Sequence, residues 1–122
     1  MAIHPRGEDL KRLLEEDPGG PVVMLNLLRF APGGEKHYRE YTRRTAPFLK
    51  KYGGELLYAG QGSTALVAEE GQAWDAVLVV RYPSREAFSR MVADPEYREV
   101  AELRTKALTE AVLQATVPWG RS

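Results

Sequence analysis

The sequence predicts an α+β fold, one antiparallel sheet with helices on a single face, and three observations carry that reading. Two long runs, "VVMLNLLRF" at 22–30 and "WDAVLVVRY" at 74–82, are rich in aliphatic and β-branched residues. Other segments repeat apolar residues every three to four positions, the period of a half-buried helix. Breakers such as "DPGG", "APGG", "YGG", "YPS" and "ADP" separate the two kinds of segment.

The elements follow in order. Residues 8–16 form a short helix with Leu10, Leu13 and Leu14 on one face, stopped by Asp17-Pro18-Gly19-Gly20. Residues 21–30 are the first strand. After "APGGEK", a helix over 35–52 carries an inward stripe of Tyr38, Tyr41, Thr45, Phe48, Leu49 and Tyr52. Its other face pairs Glu35 with Arg39, Lys36 with Glu40 and Glu40 with Arg44, and Gly53-Gly54 ends it. A strand over 55–60 is expected to bend at "GQGS" and continue through 64–68. "EEGQ" turns the chain into the strand 74–82. Ser84 caps a helix to residue 93, Asp94-Pro95 starts a second helical segment to residue 110, and 111–117 close as a strand.

Helix, then strand–helix–strand–strand–helix–strand, is the split β-α-β order of a ferredoxin-like sandwich. It implies one domain over 1–122, with 1–20 as an N-terminal arm and 21–117 as the core. The first and third main strands should lie together at the sheet centre. Both are apolar on two faces, Val23, Leu25 and Leu27 opposing Val22, Met24 and Leu28. One helix layer covers one face only, so a second copy of the chain, sheet against sheet, is the expected cover.

Bulk composition removes several classes of function. The chain has 122 residues and a net charge of zero without a block of like charge, which disfavours nucleic acid as a partner. No run reaches the ~20 apolar residues of a membrane span, and residues 1–7 lack the apolar centre of a secretory signal. Without cysteine there is no disulfide, thiol nucleophile or thiolate metal site, so the cytoplasm is the expected location. Arginine exceeds lysine, glutamate exceeds aspartate, and asparagine is scarce, a balance seen in thermophiles and in GC-rich genomes.

Chemistry points away from metals and hydrolytic triads. His4 and His37 have no carboxylate at a ligand spacing, no G-x-S-x-G stretch exists, and "APGGEKHY" lacks the Walker lysine. No metal and no cofactor are expected. The stronger cluster is aromatic and cationic. His37 and Tyr41 lie one helical turn apart with Tyr38 beside them, and His37 is the candidate proton carrier at neutral pH. Tyr97, Ala101, Arg104 and Leu108 align on the last helix, placing an arginine within an inward stripe. Such a charge takes either an internal glutamate or a ligand carboxylate or enolate. Arg81 and Trp74, at the two ends of the third main strand, complete the candidate ligand contacts; the alternatives are a snorkelling surface arginine and a tryptophan that caps the core.

Asn26 is the only asparagine in the chain, and it interrupts the most apolar run. Burying a carboxamide there costs a few kcal/mol unless its donors and acceptor are met. Either a core tyrosine or backbone group satisfies it, or it forms a pocket wall that orients a small ligand.

"PVVMLNLLRF", "YREYTRRTAPFLKKYGGELLYAG" and "WDAVLVVRYPSREAFSRMVADPEYREVAELRTKALTEAVL" resemble the uncharacterised DUF1330 family over residues 21–117. The resemblance implies a dimeric α+β barrel and no established reaction. The wider superfamily includes cofactor-free monooxygenases, haem-degrading monooxygenases, isomerases and ligand-sensing modules. The haem-degrading members use an asparagine on the first strand, a tryptophan on a later strand and a histidine on the second main helix. Asn26 and Trp74 stand in comparable places, but residues 84–110 contain no histidine. Two functions remain. One is a cofactor-independent monooxygenase or isomerase acting on an enolate-like or carboxylate substrate through His37, Tyr41, Asn26 and Arg104. The other is a small-molecule-binding dimer without turnover.

Overall fold

In a computed structural model that describes residues 3–120, the elements are α1 (Gly7–Glu15), β1 (Val22–Phe30), α2 (Gly34–Lys51), β2 (Glu55–Gln61), β3 (Ala76–Tyr82), α3 (Arg85–Ala93), α4 (Pro95–Ala107) and β4 (Leu108–Thr116). The four strands form one antiparallel sheet in the order β2-β3-β1-β4, so the two apolar runs pair at its centre. This is the ferredoxin-like arrangement.

Alternation along the central strands separates two faces. Val22, Met24 and Leu28 of β1 and Ala76, Val80 and Tyr82 of β3 are buried against Tyr38, Tyr41, Phe88, Met91, Tyr97 and Ala101 of the helices. Val23, Leu25, Leu27, Val77 and Val79 point the other way and are only half-buried.

Local chemistry fixes the junctions. Ser84 Oγ accepts the Ala87 N–H at 3.0 Å, capping α3 as its position predicts. Asp94 caps α4 through the Glu96 N–H at 2.9 Å, while its other oxygen receives the Tyr52 hydroxyl at 2.7 Å and Lys51 Nζ at 3.2 Å. Those donors, the Tyr52 hydroxyl first, hold the Asp94 carboxyl below its ordinary range. The glycines at the start of α2 serve two needs: Gly33 takes a φ of 70° as N-cap, and a Cβ on Gly34 would lie 2.1 Å from the Ala107 carbonyl oxygen. On the solvated face of α2, Glu35–Arg39 and Glu40–Arg44 pair as expected, and Arg43 joins Glu40.

Three expected boundaries move. Residues 64–68 are not a strand, because the β2–β3 ladder ends at Gln61↔Ala76 and nothing beyond it offers a partner edge. They lie in a loop over 62–75, where Leu66 and Val67 are 90% and 97% exposed. β3 begins at Ala76 rather than at 74, since the Asp75 carboxylate turns back to accept the Phe30 N–H at 2.9 Å. α4 stops at Ala107, whose carbonyl accepts the Ala31 N–H at 2.8 Å, so the last strand begins at Leu108 instead of 111.

Candidate functional site

Between the sheet and the helices lies a cavity of about 90 Å³. Alternation puts Asn26 on this side of β1, because it shares the parity of Met24 and Leu28; its ladder neighbours are Leu78 and Leu113. The α2 stripe brings Tyr38, Tyr41 and Thr45 to the opposite wall. From α4, Tyr97 and Arg104 come in one above the other, seven residues apart, and Tyr82 enters from the end of β3.

The hydroxyls of Tyr41 and Tyr97 share a hydrogen bond of 2.7 Å, and the Tyr38 and Tyr41 rings pack with centroids 5.2 Å apart. Burial pushes the hydroxyls of Tyr38, Tyr82 and Tyr97 well above their ordinary range, and for each the neighbouring Tyr41 adds to the shift. All three are neutral hydrogen-bond donors near pH 7.

Arg104 is 4% exposed. Its Nη1 donates to the Ile3 carbonyl, the Tyr38 hydroxyl stands beside the guanidinium, and Nη2 has no hydrogen-bond partner among the described residues. Neither does Thr45 Oγ1. Buried polar atoms are paired in the great majority of cases, so two orphans on one cavity make it the candidate site. The Arg104 charge is the stronger of the two, because a buried cation without an anion is costly.

His4 closes one side of the cavity with Pro5. It shares a 2.7 Å hydrogen bond with Thr105 Oγ1. Burial first, then the Arg104 charge, lower its pKa from 6.5, with Glu102 opposing, so the imidazole is neutral at pH 7.

Of the residues singled out from sequence, the cavity gathers Asn26, Tyr38, Tyr41, Tyr97 and Arg104. Three lie elsewhere. His37 sits beside the buried α2 stripe and is not on the cavity lining. Trp74 precedes β3, its ring 4.4 Å beneath the Arg29 guanidinium, which also donates to the Ala73 and Gly71 carbonyls and pairs with Glu110. Arg81 has the parity of Val77 and Val79 and belongs to the open face. Sequence reasoning missed His4, Thr45 and Tyr82 as site residues. Tyr82 was within reach, since it shares the parity of Ala76 and Val80. His4 carries no local signal, because its partner is Thr105 at the other end of the chain.

The domain of unknown function DUF1330 matches residues 29–116. This chain belongs to the DUF1330 family. It is similar to the RPA0582 protein of unknown function from Rhodopseudomonas palustris, with 31% identity, 98% of each chain covered and a TM-score of 0.87. The fold alone is shared with a putative antibiotic biosynthesis monooxygenase from Bacteroides thetaiotaomicron, at 18% identity over 84% of this chain and 94% of that one, TM-score 0.58. It is shared likewise with a dimeric ferredoxin-like protein of unknown function from Thermobifida fusca, at 14% identity over 83% and 93%, TM-score 0.55. No curated protein matches this DUF1330 chain. None of its described helices is long and apolar enough to cross a membrane.

Proposed function

We propose that this DUF1330 protein binds a small carboxylate, or the enolate formed from one, and moves a proton on it. The observation that carries the reading is Arg104, a buried guanidinium with one nitrogen free towards a cavity lined by neutral donors. Nη2 and the Asn26 carboxamide would stabilise negative charge on the ligand oxygen as it develops. His4 replaces His37 as the proton carrier, because it is neutral and on the cavity wall. The C–H bond α to a carbonyl breaks, its electrons pass to the oxygen as enolate, and the proton goes to the imidazole. Return of that proton at another carbon is an isomerisation. With molecular oxygen as co-substrate, the same enolate serves a cofactor-independent oxygenation.

The test is α-proton exchange of short 2-keto and 3-keto acids in D2O, followed by NMR alongside equilibrium binding. Exchange that disappears in His4→Gln while binding stays supports turnover. Binding without exchange returns the protein to a non-catalytic ligand carrier. An absence of carboxylate binding overturns the reading.

We further propose a homodimer through the open sheet face of Val23, Leu25, Leu27, Val77 and Val79, in the cytoplasm. Its support is the half-buried apolar surface left on that side of both central strands. Light scattering at micromolar concentration should give twice the mass of the chain, and a monodisperse monomer contradicts the dimer.

A further inference from the structure

Beneath α1 lies a second space, a groove of about 590 Å³. Its floor is the helix-side face of β4, where Ala111, Leu113 and Ala115 alternate, and its roof carries Leu10 and Leu13. Two of the three floor residues are alanine, so the strand leaves depth there instead of filling it. Leu10 and Leu13 pack against the core only partly buried, and hydrogen bonds hold the roof at both ends. Before it, Arg104 Nη1 donates to the Ile3 carbonyl, and towards its end Arg85 donates to the Leu13 carbonyl at 3.0 Å.

The groove and the inner cavity are neighbours with a common wall. His4, Pro5, Met24, Phe88 and Leu113 line both. About 90 Å³ takes a carboxylate and a few atoms more, whereas pockets for drug-sized ligands measure roughly 300–1,000 Å³. A ligand of that size headed by Arg104 must therefore leave the cavity, and the shared wall leads it under α1.

We infer that the two spaces form one binding site, for a monocarboxylate carrying an extended apolar body. This rests on the anion reading of Arg104. The carboxylate meets Nη2 in the inner cavity, Nη1 keeps its bond to Ile3, and the body passes His4 and Pro5 to lie on Ala111, Leu113 and Ala115. A second carboxylate at the far end finds no free cation. Arg85 is engaged by the Leu13 carbonyl and by Asp17 at 3.8 Å, Arg12 on the rim is paired with Asp9 at 3.4 Å, and Glu16 also borders the groove.

The experiment is calorimetric titration of the intact chain with straight-chain monocarboxylates from acetate to octanoate, with octylamine as the cationic control. Each added methylene beyond the inner cavity should tighten binding about two- to fourfold, as burial of hydrocarbon requires. Octylamine should not bind. Leu10→Trp fills the groove from the roof and Ala115→Phe from the floor. Each should keep the affinity for acetate and lose the dependence on chain length. Acetate binding with no gain along the series overturns the shared site and leaves the anion reading standing. A gain that survives in both variants also overturns it, because the body would then lie elsewhere. If no carboxylate binds at any length, both readings fall together.

Discussion

Two arginines are buried among the described residues, and they live differently. Arg85, at the start of α3, donates to the Leu13 carbonyl and faces the Asp17 carboxylate. Arg104, on α4, has a carbonyl on one nitrogen, nothing on the other among the described residues, and a cavity in front of it. The first is a cross-link between the N-terminal segment and the helix layer. The second keeps an unspent charge, which stability alone would not select, because a buried cation contributes only when its partners are complete. The contrast separates a residue whose partners cross-link the fold from one that keeps an unpartnered nitrogen on a cavity.

The sharpest way to break this comparison is to remove each charge in turn. Arg104→Met should weaken acetate binding by about ten- to a hundredfold, the worth of a charge-assisted hydrogen bond. Its unfolding free energy should stay within about 1 kcal/mol, since losing the orphaned charge offsets losing the bond to Ile3. Equilibrium titration and urea unfolding measure the two quantities. A large loss of stability with unchanged affinity would make Arg104 structural and reverse the assignment.

Arg85→Met should show the opposite pattern. It strands the Leu13 carbonyl and the Asp17 carboxylate, so it should cost about 1–3 kcal/mol. Amide exchange should accelerate in α1 ahead of the sheet. Acetate affinity should stay within about twofold.

How far the sequence foretold these roles depends on whether the signal was periodic. The sheet was legible because β1 and β3 are apolar at both parities, which only central strands need. Tyr38, Tyr41, Tyr97 and Arg104 were legible because helical spacing assigns a face without knowledge of the partner. Arg81 lies on the other face, as its parity against Tyr82 indicates and as a snorkelling surface arginine would. The strand expected over 64–68 failed for a different reason: local propensity does not say whether a partner edge exists. His4 was invisible, since its bond to Thr105 spans nearly the whole chain and depends on where the N-terminal segment comes to rest.

That segment supplies a smaller, pH-dependent effect. The folded protein holds His4 below its ordinary pKa of 6.5, through burial and the Arg104 charge, with Glu102 pulling the other way. The unfolded chain therefore takes up this proton first as the pH falls. Stability should decline from about pH 6.5 downwards until the folded imidazole also titrates. In Arg104→Met the decline should be shallower, because one cause of the shift is gone. Thermal unfolding between pH 5 and 7.5 tests both slopes, and equal slopes would remove Arg104 from the surroundings of His4.

The smallest effect, and the finest test of the contrast between building and serving, is at Asn26. Its backbone lies in the ladder between Leu78 and Leu113, so a side-chain change leaves the sheet's own hydrogen bonds in place. Asn26 is on the cavity lining and shares the parity of Met24 and Leu28. In the site role, Asn26→Leu exchanges a polar group met only by water or ligand for an apolar one of similar size, among Met24, Leu78 and Leu113. Melting temperature should hold or rise by a few degrees, while acetate binds several-fold more weakly for want of one donor. Were Asn26 a building residue like Arg85, the leucine would strand its partner and the melting temperature would fall with affinity unchanged. That second outcome would leave Arg104 alone at the site, a cation without the amide that orients what it binds.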